Sequence, residues 1–168
     1  MTTQRLRILL TNDDGLSAGG LQRLYSALRR AHDVTCVVPA VEQSGVSHAF
    51  TYNAFLECRA IKGEEGYKGY VVNGTPSDCV KLGLAELCNP WPDMVVSGIN
   101  PGENSGVSAF YSGTVAAARE ASFWGIGAIA FSMSEQGLAY IDEYAHAAIS
   151  IISEVHTRFP GGGIDNQK

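Results

Sequence analysis

Two adjacent aspartates, Asp13 and Asp14, are the residues of this chain whose types and place best suit chemistry. They follow residues 6–10, an apolar run that predicts a buried strand. In an open parallel α/β sheet, ligands bind beyond the carboxyl ends of the strands. Two carboxylates there contribute little to packing, but they are good ligands for a hard cation such as Mg²⁺ or Mn²⁺.

The two aspartates can bind a single ion only if one geometric condition is met. Adjacent residues of a regular strand point to opposite faces, so the backbone must turn between the two aspartates. Gly15, which follows them, permits such a turn. Two other interpretations stay open: one aspartate binds metal while the other caps the next helix, or the pair is an ordinary turn and cap.

Polar residues also follow other predicted strands. The predicted strand at residues 34–38 leads into residues 42–45, which include Ser44, and the one at 94–96 leads into residues 97–100, which include Asn100. Parallel strands bring these ends to one edge of the sheet. Carboxylate, hydroxyl and amide oxygens suit Mg²⁺ or Mn²⁺ and do not suit zinc.

Ser112-Gly113-Thr114 stands ahead of a predicted helix and is the second chemical feature. Free amides at a helix N-terminus bind anions, and small residues let a phosphate approach. The alternative is that Ser112 is only an N-cap. The segment is neither a P-loop nor a dinucleotide fingerprint. His48 is the one histidine placed near this region, as an exposed loop residue or as a group that contacts substrate or transfers a proton.

The elements that must position these residues alternate between strand and helix, which predicts a mostly parallel sheet covered by helices on both faces. Apolar runs predict strands at residues 6–10, 34–38, 55–61, 70–72, 94–96 and 128–131. Helical periodicity and helix-start signals predict helices over residues 21–28, 75–87, 112–121 and 141–155. For the second of these helices, Thr75 can cap, Pro76 suits the first helical position and Asp78 faces the positive helix end. Residues 40–51 and 101–111 are predicted loops, and Ser97-Gly98 is predicted to end its strand.

Composition narrows the function classes. The chain has 168 residues and a formal net charge of −5, which predicts one domain over residues 1–160 with a polar tail over 161–168. An acidic balance disfavours duplex nucleic acid and anionic membranes as partners. No apolar stretch is long enough for a membrane span. The four cysteines lack CxxC spacing, which indicates buried or half-buried reduced thiols in a cytoplasmic protein.

Five segments in order resemble the SurE (survival protein E) family of metal-dependent 5′/3′-nucleotidases. The resemblance covers the chain from about Arg7 to Phe159. Its motifs are ILLTNDDG at residues 8–15, Ser44-Gly45, NGTPSDCV at 73–80, VSGINPGEN at 96–104 and YSGTVAAA at 111–118.

The resemblance implies a Rossmann-like α/β/α sandwich, a three-layer fold that agrees with the pattern above. It implies a phosphoric monoester hydrolase that converts nucleoside 5′- or 3′-monophosphates to nucleoside and phosphate, and in some members trims short polyphosphate. The implied divalent-metal ligands are Asp13, Asp14, Ser44 and Asn100. The implied catalytic residues are Asp13, Asp14 and Asn12, and the implied phosphate-binding residues are Asn104, Ser112, Gly113 and Thr114.

Two departures from the family pattern bear on these expectations. Members usually continue past the last helix, into strands and an arm that joins subunits into homo-oligomers, so the resemblance is to a C-terminally short version. The loop before Ser44, often basic in the family, here contains Glu42, which weakens attraction for a dianionic substrate. The alternatives to a nucleotidase are a non-catalytic metal- or nucleotide-binding relic and an interaction scaffold built on an exposed sheet edge.

Overall fold

Six strands form one sheet in the computed structural model, which describes residues 5–61 and 66–159. The strands are β1 (Arg7–Thr11), β2 (Asp33–Pro39), β3 (Cys58–Ala60), β4 (Gly69–Val72), β5 (Met94–Pro101) and β6 (Ala128–Met133). Their order in the sheet is β3-β4-β2-β1-β5-β6, and β3 alone runs antiparallel to its neighbour. The predicted polar tail lies outside the described residues.

Helices cover both faces of the sheet, so the predicted three-layer α/β/α architecture is confirmed. The helices are α1 (Gly19–Leu28), α2 (Pro76–Leu82, continued by a π-helical turn Gly83–Leu87), α3 (Ser108–Tyr111), α4 (Gly113–Phe123) and α5 (Ile141–Arg158), which a 3-10 helix, Glu135–Tyr140, precedes. One hydrophobic core lies under α1 and α5, with Leu24 and Ile152 buried against Leu10 and Val38. The other core lies under α2 and α4.

The helix-start signals at Thr75 act as predicted. Thr75 Oγ1 accepts the Asp78 N–H at 3.1 Å, and the Asp78 carboxylate accepts the Thr75 N–H at 2.9 Å. This capping box, with Pro76 in the first turn, satisfies donors that a helix N-terminus would otherwise leave unpaired. The local sequence therefore sets the start of α2.

Two predictions for the segment after residue 96 were wrong. Strand β5 does not end at Ser97-Gly98 but continues to Pro101, because β6 pairs with it beyond a register shift, Asn100 with Ser132 and Pro101 with Met133. The predicted loop at 101–111 contains the four-residue helix α3, which is too short to leave a helical period.

The cysteines partly match the expected burial. Cys36 and Cys79 are buried and Cys88 is half-buried, and burial raises the pKa of all three thiols, that of Cys88 to about 11. Cys58 is exposed, because β3 is an edge strand with all three of its residues exposed. No helix in the described ranges has the length and apolar character needed to cross a membrane.

Candidate active site

The acidic pair lies in a tight turn directly after β1. Gly15 has φ +87°, a conformation that favours glycine, and Asn12 braces the turn from both sides. Its Nδ2 donates to the Gly15 carbonyl at 2.9 Å, and its Oδ1 accepts the Gly15 N–H at 3.2 Å. The backbone turn that the shared-cation geometry requires is therefore present, and the buried Asn12 side chain maintains it.

Asp13 joins this turn to the N-terminus of α4. Its Oδ2 accepts the Thr114 N–H at 3.1 Å and its Oδ1 accepts the Thr114 hydroxyl at 2.7 Å. Gly113 makes the close approach possible, since a Cβ there would lie 2.9 Å from Asp13 Cβ. Asp13 is thus a buried carboxylate with a fixed orientation, held by uncharged donors.

Asp14 has the opposite surroundings. Its Oδ2 is buried and has no hydrogen-bond partner. Desolvation, together with the negative charges of Asp13 and Glu42, raises the pKa of the Asp14 carboxyl to about 6. A buried oxygen without a donor, beside a second carboxylate, is the environment that a bound cation would satisfy.

The loop that carries Ser44 packs beside the pair. The Gln43 N–H donates to the Asp13 carbonyl at 2.7 Å, and Ser44 Oγ donates to Glu42 Oε1 at 2.5 Å. Together, Asp14 and Glu42 help line a cleft of about 540 Å³ at this edge of the sheet. The structure therefore brings Ser44 into the neighbourhood of Asp13 and Asp14.

Asn100 and Asn104 lie on the β5–β6 side of the same edge, and their amide groups are hydrogen-bonded elsewhere than to the acidic pair. Asn100 Nδ2 donates to the Gly102 carbonyl at 3.0 Å, which leaves Asn100 Oδ1 outside that bond. Asn104 Nδ2 donates to Ser132 Oγ at 2.7 Å beside a cleft of about 450 Å³. The pair and the two asparagines form two flanks of one edge.

The Ser112-Gly113-Thr114 segment acts first as a helix start. Ser112 Oγ accepts the Val115 N–H at 3.1 Å, so Ser112 is an N-cap, and both polar groups of Thr114 bind Asp13. Gly113 packs against the Asp13 side chain. These contacts place the segment at the acidic pair, and the predicted contact with phosphate remains a prediction.

His48 has a buried acidic partner that was not predicted from the sequence. The imidazole is half-buried and its Nε2 lies 2.9 Å from Oε2 of Glu120, a buried carboxylate on α4. Glu120 follows Ala116 by four residues and Ala117 by three, so its helical position predicts the buried face of α4. That spacing was the available signal for a buried, partnered acid.

The donor set decides which cation the edge would suit. Within residues 5–61 and 66–159, no three His, Cys, Asp or Glu side chains gather closely enough to form a metal site by themselves. The groups that do gather are two carboxylates with hydroxyl and amide oxygens nearby. Such a set fits a hard, oxygen-loving cation that keeps part of its water shell, and it does not fit zinc.

A third cleft, of about 430 Å³, lies at the opposite edge, where the strands begin. Arg7 and Asp33, the first residues of β1 and β2, line it. Ligands of open α/β sheets bind at the carboxyl ends of the strands, which is also where the Asp14 Oδ2 without a hydrogen-bond partner lies. We therefore take the acidic edge as the candidate site.

Comparison with known proteins decides the family. The sequence profile described as "Survival protein SurE" matches residues 8–166. The chain belongs to the SurE family. It is 52% identical over 128 residues to the "5'-nucleotidase SurE" of Syntrophobacter fumaroxidans, covering 76% of this chain and 51% of that relative.

Two further SurE relatives cover more of the chain. The "5'-nucleotidase SurE" of Rhodopirellula baltica is 46% identical over 160 residues, covering 94% of this chain and 63% of that protein. The crystal structure of the SurE protein from Aquifex aeolicus superposes with a TM-score of 0.80 at 37% identity, covering 95% of this chain and 62% of that one. The chain therefore spans between about half and three fifths of these SurE proteins.

Proposed function

We propose that this chain hydrolyses the phosphate ester of nucleoside 5′- or 3′-monophosphates with the help of a divalent cation, Mg²⁺ or Mn²⁺. The observation that carries the proposal is the acidic pair at the carboxyl edge. Asp13 is fixed by Thr114, and Asp14 beside it keeps a buried oxygen without a donor. The SurE relatives named as 5′-nucleotidases supply the substrate class.

The proposed cation ligands are Asp13, Asp14, Ser44 and Asn100. When bound, the cation supplies positive charge against the phosphoryl oxygens and makes a water molecule more acidic. Asn12 maintains the turn that presents both carboxylates. The Ser112 hydroxyl and the Gly113 N–H, with Asn104 from the other flank, bind and orient the phosphate.

A direct attack by Asp13, through a phospho-aspartate, is the competing mechanism. Both Asp13 carboxylate oxygens already accept hydrogen bonds from Thr114, and the side chain is buried. These bonds stabilise the carboxylate and hold it in one orientation, which supports a role in binding the cation over a role as the nucleophile. Trapping of a phosphorylated Asp13 would reverse this preference.

A metal- or nucleotide-binding module without catalysis is the second candidate function. The chain spans about half the length of the Syntrophobacter fumaroxidans relative, so the activity named for that protein comes to this chain only as a proposal. The ligand set argues against that candidate: Asp13, Asp14, Ser44 and Asn100 all keep oxygen-bearing side chains. Homo-oligomers, short polyphosphate as a substrate and a cytoplasmic location remain predictions.

The decisive experiment measures phosphate release from a panel of nucleoside monophosphates with Mn²⁺ or Mg²⁺, beside EDTA and Asp14→Asn controls. We expect release that needs the cation and that the substitution removes. Cation binding by calorimetry without any release would favour the binding module. Release that survives both EDTA and Asp14→Asn would exclude the proposed site.

A further inference from the structure

A buried carboxylate away from the acidic pair collects three donors from different parts of the chain. Glu120 Oε2 lies 2.9 Å from His48 Nε2, and Glu120 Oε1 accepts from Lys81 Nζ at 3.2 Å and from Trp124 Nε1 at 3.0 Å. Glu120 is only 4% exposed. A buried acid with this many partners holds its neighbours firmly, since losing any of them leaves charge or a polar group unpaired.

His48 belongs to the loop that carries Ser44. We call residues 44–51 the serine loop. Its backbone includes a non-glycine residue in the left-handed region, Ser47 at φ +57°, besides Gly45 at +69°. Such a conformation persists only when surrounding contacts determine it. The shape of the serine loop therefore depends on its anchors.

The anchors lie on both sides of the His48 position. The Ser47 N–H donates to the Tyr111 carbonyl at 2.9 Å, and Ser47 Oγ donates to the Phe110 carbonyl at 2.7 Å. Further along, the Thr51 N–H and hydroxyl both donate to the Asp78 carboxylate at 2.8 Å. His48 is the residue between them that ties the serine loop to α4, where its ring also stacks on Phe123 with centroids 5.5 Å apart.

Helix α4 thus contacts both the turn that bears Asp13 and the serine loop. Its first turn binds Asp13 through Thr114, and its third turn holds His48 through Glu120. The two residues Thr114 and Glu120 are about 9 Å apart along a helix axis. Helix α4 therefore braces both the turn that bears Asp13 and the loop that bears Ser44, in addition to the direct hydrogen bond from the Gln43 N–H to the Asp13 carbonyl.

We propose that Glu120 is a positioning residue, which acts through His48 to hold Ser44 in place as a ligand of the cation at the acidic pair. The proposal rests on the proposed function, since it assigns Glu120 to the same cation site. Outer partners that orient ligand groups typically change metal affinity by about 10–100-fold when they are removed.

The test compares two substitutions in the Glu120 cluster. His48→Ala removes the contact with the serine loop, and Trp124→Phe removes a hydrogen bond to Glu120 without touching that loop. Mn²⁺ affinity is measured by calorimetry, amide hydrogen exchange of residues 44–51 is measured without metal, and the melting temperature is recorded. His48→Gln, whose amide can reach the position of Nε2, is the rescue variant.

We expect His48→Ala to weaken Mn²⁺ binding about tenfold and to speed exchange of the serine loop. His48→Gln should recover affinity to within about threefold of the unsubstituted chain, and Trp124→Phe should change only the melting temperature. Unchanged Mn²⁺ affinity in His48→Ala would overturn the inference and leave the proposed function intact. An unsubstituted chain that binds no Mn²⁺ would overturn both.

Discussion

The two edges of the sheet treat charge in opposite ways. At the amino edge, Arg7 donates to Asp93 through Nη2 at 2.5 Å and through Nε at 3.1 Å, and Lys68 lies 3.5 Å from Asp33. At the carboxyl edge of the described chain, Asp13 has only the uncharged donors of Thr114, and Asp14 Oδ2 has none. The amino edge is arranged for stability, whereas the carboxyl edge keeps negative charge that only a ligand would compensate.

The pKa values of the aspartates at the two edges shift in opposite directions. The hydrogen bond from Arg7 lowers the pKa of Asp93, whereas desolvation and the charges of Asp13 and Glu42 raise the pKa of Asp14 to about 6. The same residue type therefore stabilises the fold at one edge and destabilises it at the other. Functional sites concentrate such perturbed groups.

The largest expected effect is a difference in phosphate release between a substitution at the carboxyl edge and one at the amino edge. Asp13→Asn should lower phosphate release by at least about 100-fold, because it removes a charge from the cation shell. Asp93→Asn, at the amino edge, should change release by less than about twofold at a temperature where both variants are folded. Assays of phosphate release with Mn²⁺ measure the ratio of the two variants' rates. Equal losses in Asp13→Asn and Asp93→Asn would mean that the loss of activity reflects only a loss of stability.

The next effect tests the close approach of α4 to Asp13. Gly113→Ala places a methyl group 2.9 Å from Asp13 Cβ and 3.0 Å from its Oδ2. Overpacking of this kind should lower the free energy of unfolding by about 1–3 kcal/mol and weaken Mn²⁺ binding.

Gly19→Ala in α1 is the matched control for Gly113→Ala. A Cβ at Gly19 meets no atom within 4 Å, so this change should be neutral or stabilising by up to about 1 kcal/mol. Denaturant unfolding and calorimetry compare the two variants. A Gly113→Ala protein as stable as Gly19→Ala would show that the contact with Asp13 is loose.

A smaller effect concerns stability against pH in the absence of metal. Because the folded pKa of Asp14 is raised, ionising this group costs stability at pH 7, and the cost disappears as pH falls from about 6 towards 4. Asp14→Asn should therefore stabilise the metal-free protein by about 1 kcal/mol at pH 7, after allowance for solvent screening, and by nothing near pH 4.

Asp93→Asn is the comparison for this pH effect. The lowered pKa of Asp93 means that its ionised form stabilises the fold above the unfolded pKa. Its substitution should destabilise at pH 7, with the difference shrinking as pH falls below about 4. Urea unfolding over this pH range measures both variants, and a gain from Asp14→Asn that is the same at pH 4 and pH 7 would contradict the assignment.

The smallest expected effect tests how the negative charge of Glu42 at the acidic edge affects substrate binding. Glu42 adds a negative charge beside Asp14 and accepts from Ser44. Glu42→Gln should lower KM for a nucleoside monophosphate by about two- to threefold at low salt, with the gain shrinking as salt rises. Steady-state kinetics at two ionic strengths measure the change. A KM that rises would indicate that Glu42 holds Ser44 in its working position.

The sequence predicted the parts of this molecule that depend on local signals. The helix start at Thr75, the cap at Ser112 and the glycine turn after Asp14 are all set by residues within a few positions of one another. The extension of β5 past Ser97 was not predictable in this way, because pairing with β6 causes it.

For the candidate site, strand order predicted that Asp13, Asp14 and Ser44 lie near one another, but local sequence did not predict which of the surrounding groups hydrogen-bond to each other. Thr114 was assigned to phosphate from its place in a motif, yet its N–H and hydroxyl bind Asp13, 101 positions earlier in the chain. The partnership of His48 with Glu120 spans 72 positions. Contacts of that separation leave no mark on local spacing.

The bond between Asp13 and Thr114 has a consequence for how the protein reaches its working state. The acidic pair is complete only when the first strand and α4 have both docked on the sheet, because the Asp13–Thr114 contact joins residues 101 positions apart in the chain. A cation that recognises the assembled pair would then bind the native state alone. Mn²⁺ should raise the melting temperature in proportion to the logarithm of its concentration, which makes the ion a probe of complete folding.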